Sequence, residues 1–250
     1  TSGELAKDVF FAYRGYRMNY YAVTAMLARV YCWAGEYGNA YKEAKEVVDA
    51  TYSTGSTSTA SCFNFSNSLT TNRKDYNSII MTFFKSTCYE DYLPYMTKGN
   101  DVVLVVNTTN LFGDEAGADD RNLDLFGDWD GGDIKYSFKY DIKEGTSGTD
   151  MIPAIRLSEM YYIMGEYFAY KDEFSKAGEM LDKVRYARGI STTNLASSIG
   201  SLEVFHTHLI KEMRREFVGE GQMFFQYKRL DQKPKDNVVF VFDKPNNEDI

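Results

Sequence analysis

LARVYCWAGEYGNAYKEAKEVV, Leu27 to Val48, and MGEYFAYKDEFSKAGEMLDKVR, Met164 to Arg185, carry one skeleton at an offset of 137 positions, 165 minus 28. Laid on each other they place Ala28 over Gly165, Tyr31 over Phe168, Tyr37 over Phe174, Ala40 over Ala177, Ala44 over Leu181 and Val47 over Val184. A small residue that lets two helices approach, aromatics that wedge between them and an Ala seated at the start of the second helix describe an antiparallel helical hairpin of a repeat scaffold.

The spacing is of the tetratricopeptide type, but the offset far exceeds the roughly 34-residue period of a true array. A long non-repeat excursion therefore separates the two units, and the helices are expected to hold while the excursion recognises. The predicted fold class is mainly α, a tetratricopeptide-like helical superhelix with an irregular, loop-rich α/β insert. We read residues 1–250 as one domain, with a helical hairpin over 1–51, a ligand-facing insert over 52–150, and a second hairpin, long helix and extended tail over 151–250.

Local patterns place the elements. Gly35 breaks the first helical stretch, and the Ser, Thr and Asn-rich run Thr51 to Asn72 reads as a loop with side-chain turns. Val-rich Asp101 to Asn107 and alternating KYSFKYDI, Lys135 to Ile142, read as strands. Gly113 to Asp133 is acidic and Gly-rich and reads as a surface loop. The helical pattern returns near Met151, enters at Pro153 and stops at Gly189, and another helix is expected from Leu202 to about Val218. Trp33 fits the hairpin pattern and is expected in the core.

Composition narrows the function. A net charge of −8 and a pI near 4.9, with no basic stripe, argue against nucleic acid. Cys32, Cys62 and Cys88 form no CxxC pair, so neither a thiolate metal site nor a full disulfide framework is expected. His206 and His208 diverge on a helix, cannot share a metal, and read as surface or cap residues. No apolar run approaches a membrane span. The chain opens on TSGELAKD without an initiator Met or leader, so any export signal is expected upstream.

Arg214, Arg215, Glu216, Glu220 and Arg229, with Glu212 one turn before Glu216, are read as an ion-pair lattice fixing the C-terminal helix on the repeats. Arg156 and Glu159 suit a local pair. Asp114, Glu115, Asp119, Asp120, Asp124, Asp128, Asp130 and Asp133 fail the EF-hand frame and read as a solvated acidic loop. No G-x-S-x-G, HExxH, P-loop or dinucleotide turn is present, so no enzyme activity, metal or cofactor is expected.

What remains is binding by aromatic faces. A sugar ring stacks its C–H face on Tyr or Trp while polar side chains fix its hydroxyls, and 20 Tyr and 17 Phe supply the rings. Trp129, in a polar Gly-rich stretch, is the sharpest candidate. Tyr89, Tyr92, Tyr95, Phe112 and Asp128 complete the expected ligand-binding set.

Three segments in order then resemble the SusD/RagB family of outer-membrane nutrient-binding lipoproteins. They are IPAIRLSEMYYIMGEYFA (Ile152 to Ala169), LDKVRYARGI (Leu181 to Ile190) and LIKEMRREFVGEGQMFFQYKRL (Leu209 to Leu230), followed by FVFDKPNNEDI (Phe240 to Ile250). Met223 and Gln226 depart from the pattern, which usually has Arg and Asp there, and 250 residues is about half a usual member. The resemblance implies a non-catalytic, surface-exposed receptor, lipid-anchored through an N-terminal part absent from this chain. It further implies capture of an oligosaccharide or other nutrient and a role as the lid of a TonB-dependent, SusC-like transporter. The alternative is a tetratricopeptide-like scaffold that grips a protein partner and has no small ligand.

Overall fold

The structure, a computed structural model, describes residues 14–85, 87–96, 104–128, 131–140, 151–230 and 241–242. In chain order the elements are α1 (Tyr20–Trp33), α2 (Tyr37–Val48), β1 (Thr51–Ser53), β2 (Thr59–Ser61), β3 (Ile79–Phe84), α3 (Cys88–Met96), β4 (Leu104–Asn107), α4 (Thr108–Phe112) and α5 (Asp120–Leu125). They continue with β5 (Phe126–Asp128), β6 (Ile134–Ser137), β7 (Met151–Arg156), α6 (Leu157–Ala169), α7 (Phe174–Ala187), α8 (Leu202–Glu216), α9 (Met223–Arg229) and β8 (Val241–Phe242).

The two hairpins named by the repeat are α1–α2 and α6–α7, and α2 packs directly on α6. Units far apart in sequence are thus neighbours in space, because the insert leaves the helical stack after α2 and returns to it at α6. Asn19 caps α1, its side chain accepting from the Ala22 amide at 3.0 Å. Ala22, Ala25, Ala28 and Cys32 form the buried stripe of α1, and Ala40, Ala44 and Val47 that of α2. Small side chains on both faces let the axes approach. Larger rings close the seam between hairpins: Tyr37 stacks on Tyr170 at 3.9 Å and Tyr41 on Tyr167 at 4.4 Å between ring centroids. A second apolar cluster joins Tyr162, Leu181, Val184, Phe205, Leu209 and Phe217, fixing α8 against α6 and α7.

Several expectations need correction. Met151–Arg156 is a strand, and α6 begins at Leu157 rather than at Pro153. The reason is tertiary: β7 pairs antiparallel with β3, with Ile79 opposite Arg156 and Phe84 opposite Met151. The 51–72 stretch contains a small hairpin, β1 with β2, Thr51 opposite Ser61. Trp33 is 44% exposed at the end of α1, with its ring 6.3 Å from that of Phe225.

Of the expected strands, Leu104–Asn107 and Ile134–Ser137 form and pair antiparallel, Val105 opposite Tyr136, within a four-stranded sheet of order β5-β6-β4-β8. Residues 101–103 and 141–142 of those predictions lie outside the described set. Among the described residues no helix is long and apolar enough to cross a membrane, and Cys32, Cys62 and Cys88 are free thiols.

Candidate functional site

The insert is held to the scaffold by buried charge. At its centre is Glu216, the last residue of α8, whose two oxygens accept from three arginines: Arg156 at 2.6 Å, Arg188 at 2.6 and 3.1 Å, and Arg121 at 3.1 Å. Burial by itself would push this carboxyl up, but the guanidiniums of Arg188, Arg156 and Arg121 outweigh it and hold Glu216 well below the usual carboxylate range. Around it, Glu212 accepts from Arg121 at 2.9 Å and Arg215 at 3.0 Å, and Asp75 accepts from Arg188 at 2.7 Å. Glu220 receives Lys139 and Arg156, and burial pushes the Lys139 ammonium down to about 8 despite that carboxylate.

Each partner comes from a different part of the chain, which is what makes the lattice a clamp. Arg121 and Asp119 belong to the acidic stretch; Asp119 caps α5 and accepts from the Arg121 amide at 3.0 Å and its guanidinium at 2.7 Å. Glu115 joins Arg185 of α7 to Arg215 of α8 at 2.5 and 2.6 Å, and despite partial burial its carboxyl is lowered to about 2 by Arg215 and Arg185. Arg215 also donates to the carbonyls of Leu111 and Phe112 at 3.1 and 2.8 Å. The expected lattice therefore exists, but it binds insert to helices as much as helix to repeats.

Particular partners differ from the sequence expectation. The Gly113 to Asp133 stretch is not simply a solvated acidic loop: Asp119 is fully buried and the segment contains α5 and β5. Arg156 does not pair with Glu159; it reaches Glu216 and Glu220, while Glu159 takes a two-pronged bond from Arg29 of α1, both prongs 2.6 Å. Arg229 stands apart from the lattice, gripping Glu166 at 2.6 and 2.7 Å. Arg214 takes no part: its Nε and Nη2 have no hydrogen-bond partner among the described residues. His206 is buried beside Phe205 and Tyr170 rather than at the surface, and burial pushes its imidazole down.

The expected ligand-binding residues separate. Trp129 lies outside the described residues. Asp128, which precedes it, closes β5 and is solvent-facing, with Lys135 Nζ 3.7 Å away across the hairpin. Tyr95 is exposed and Tyr89 half-buried on α3. Tyr92 spends one ring face on Tyr140, stacked at 4.3 Å with planes 9° apart, which anchors α3 next to Lys139. Phe112 is a correction: it is completely buried against Phe126 and under the Arg215 guanidinium, so it has no face for a ligand. Phe83 and Phe84, at the end of β3, were missed, although they are exposed at 59% and 70%. Consecutive aromatics in a strand point to opposite faces, so their pairing at a strand end signalled that at least one could not be core. No group of three His, Cys, Asp or Glu suited to a metal occurs among the described residues.

Comparison with known proteins places this arrangement. No curated protein sequence matches the chain. Among solved structures, a SusD superfamily protein from Bacteroides thetaiotaomicron superposes with a TM-score of 0.62 at 24% identity, over 86% of this chain and 50% of that one. A protein from Bacteroides vulgatus, described as SusD-like and carbohydrate-binding, gives 0.61 at 19% identity, over 92% and 49%. A laminarin-binding SusD-like protein gives 0.58 at 17% identity, over 88% and 55%. These likenesses establish a shared fold, and the chain spans about half the length of the structures it matches. The profile of the SusD family matches residues 15–246, nearly the whole sequence. With the ordered motifs that build α6, the end of α7 and the α8–α9 block now seen as parts of one helical stack and its ion-pair clamp, this chain belongs to the SusD family.

Proposed function

We propose that this chain is the glycan-capturing part of a cell-surface nutrient receptor that works as the lid of a TonB-dependent, SusC-like transporter. In this reading it is non-catalytic and held at the outer membrane by an N-terminal lipid anchor outside the present sequence. The observation that carries the proposal is the family match over residues 15–246, joined to relatives described as binding carbohydrate and laminarin. The insert supplies the chemistry: Trp129, Tyr95, Tyr89 and the free face of Tyr92 offer rings for sugar stacking, and Asp128 offers an acceptor for hydroxyls. Ion pairs of Arg121 and Glu115 fix the described part of the insert on α7 and α8, and a fixed support lowers the ordering cost of binding.

A glycan-array screen of the protein joined to its upstream half, repeated with Trp129→Ala, tests the reading. Binding lost in the variant supports stacking capture. Intact binding in the variant moves the site elsewhere, and no binding by either form removes the glycan reading.

One observation favours a protein-binding scaffold as the second reading. Tyr20, Val23, Leu27, Val30 and Trp33 stand 42–66% exposed along one side of α1, and Phe224 and Phe225 extend that apolar stripe from α9. Leu27→Asp would abolish a protein contact there and leave glycan capture unchanged.

A further inference from the structure

The insert carries almost all of the chain's charge imbalance. Residues 52–150 hold eight Lys and Arg against fifteen Asp and Glu, a net of −7 within the −8 of the whole sequence. The fold then sorts these charges by depth. Among the described residues of the insert, Lys74, Arg121 and Lys139 are buried. Arg73 is half-buried over the Phe138 ring, 4.9 Å from its centroid, and donates to the Phe138 carbonyl at 3.4 Å. The two cations left nearer the surface, Lys85 and Lys135, each face a carboxylate, Asp91 and Asp128 respectively. Glu90, Asp91, Asp114, Asp128 and Asp133 are exposed.

We infer that the glycan captured by this receptor is one without carboxylate or sulfate groups, an inference that rests on the capture reading above and narrows its substrate class. The carboxylates lie beside the rings offered for stacking. Asp91 sits about one helical turn before Tyr95 on α3, Glu90 follows Tyr89, and Asp128 precedes Trp129. An ionised carboxylate accepts from a sugar hydroxyl and has no proton to donate. Such groups therefore fix hydroxyls and repel a uronate or a sulfate ester.

Recognition of an acidic sugar needs an uncommitted guanidinium or ammonium that supplies charge-assisted donors. Here those groups are spent inside the protein. Arg121 donates to Asp119, Glu212 and Glu216, and Lys139 to Glu220 and the Glu216 carbonyl. The clamp that holds the insert on α8 thus also sets its selectivity, drawing cations inward and leaving acids at the surface.

The test is a glycan array of the protein joined to its upstream half, printed with neutral oligosaccharides and with uronate-bearing and sulfated counterparts of equal length. Neutral members should bind equally at about 20 mM and about 150 mM salt. Acidic counterparts should bind at least about tenfold more weakly at the lower salt, with the deficit shrinking as salt screens it. Glu90→Lys reverses an exposed charge without touching the lattice, and should raise the acidic-to-neutral binding ratio about threefold. An acidic glycan bound as tightly as its neutral counterpart, or a ratio unmoved by Glu90→Lys, overturns the inference and leaves glycan capture standing. No binding to any glycan removes the capture reading, and this inference with it.

Discussion

Gly35 and Asp172 occupy the same point of the two hairpins, 172 minus 35 being the 137-residue offset, and both are left-handed, at φ 76° and 59°. The hydrogen bonds repeat as well. Glu36 N–H donates to Tyr31 O at 2.9 Å and Glu173 N–H to Phe168 O at 2.9 Å, while Gly35 N–H reaches Cys32 O at 3.2 Å and Asp172 N–H reaches Ala169 O at 3.1 Å. This is one helix-terminating turn built twice, and only one copy has the residue that turn prefers. Asp172→Gly should therefore stabilise the protein by about 0.5–1 kcal/mol, and Gly35→Ala should destabilise it by about 1 kcal/mol. Nothing lies within 4 Å of a Cβ built on Gly35, so a thermal melt of that variant isolates backbone strain from crowding.

Removing the charge of Glu216 should be far costlier than its single position suggests. Glu216→Gln leaves Arg156, Arg188 and Arg121 buried around a neutral group, and loss of one partner from a buried ion-pair set costs about 3–5 kcal/mol. Denaturant unfolding should register that loss, and a change below about 1 kcal/mol would show that the lattice is not a clamp.

Acid should loosen the same lattice. Glu216 and Glu115 are both depressed, Glu115 to about 2, against an unfolded value of about 4.3. The folded state therefore binds fewer protons, and the stability from these groups is present above about pH 4.3 and is lost as pH falls toward 2. Glu115→Gln should flatten part of that acid limb in melts recorded from pH 5 to pH 2.

Lys139 adds a slope of the same sign on the alkaline side. Burial lowers its ammonium to about 8, whereas an unfolded lysine titrates near 10.4, about two units higher. Between those values the unfolded chain binds more protons, so stability should rise with pH across that window and the rise should vanish in Lys139→Met. Above about pH 10 the buried phenols of Tyr140 and Tyr162, raised by desolvation, reverse the trend.

Two glycines of the second hairpin should differ in their tolerance of a methyl group. A Cβ on Gly178 would lie 2.6 Å from backbone atoms of Ala196, whereas one on Gly165 would meet the movable ring of Phe205 at 3.2 Å. Gly178→Ala should cost at least about 2–3 kcal/mol in spite of the better helix propensity of Ala, and Gly165→Ala distinctly less. Equal melting temperatures for the two variants would contradict the close approach of α7 to the 195–197 turn.

Tyr95 and Phe112 provide the sharpest separation of binding from stability. Tyr95→Ala, on an exposed ring, should leave the melt nearly unchanged and weaken glycan binding about tenfold if the insert stacks sugar. Phe112→Ala removes a fully buried ring and should cost about 3–5 kcal/mol of stability. Calorimetry on both variants distinguishes a ligand contact from a core residue.

The sequence by itself determined the helical hairpins, the break at Gly35, the helix stop at Gly189, and the family, because helix periodicity and turn chemistry are local and read within a few residues. It also determined that charged residues of the 212–229 block serve structure. Only the tertiary structure decided that hairpins 137 residues apart stack, that Arg156 passes over Glu159 for Glu216 and Glu220, and that Asp119 and Phe112 are buried while Phe83 and Trp33 are exposed. Those outcomes depend on which distant segment fills each face. An arginine three residues from a glutamate has a partner available on its own helix, but pairing β7 with β3 keeps Arg156 in extended backbone and swings its guanidinium toward the end of α8. Spacing along the chain carries no record of that competition.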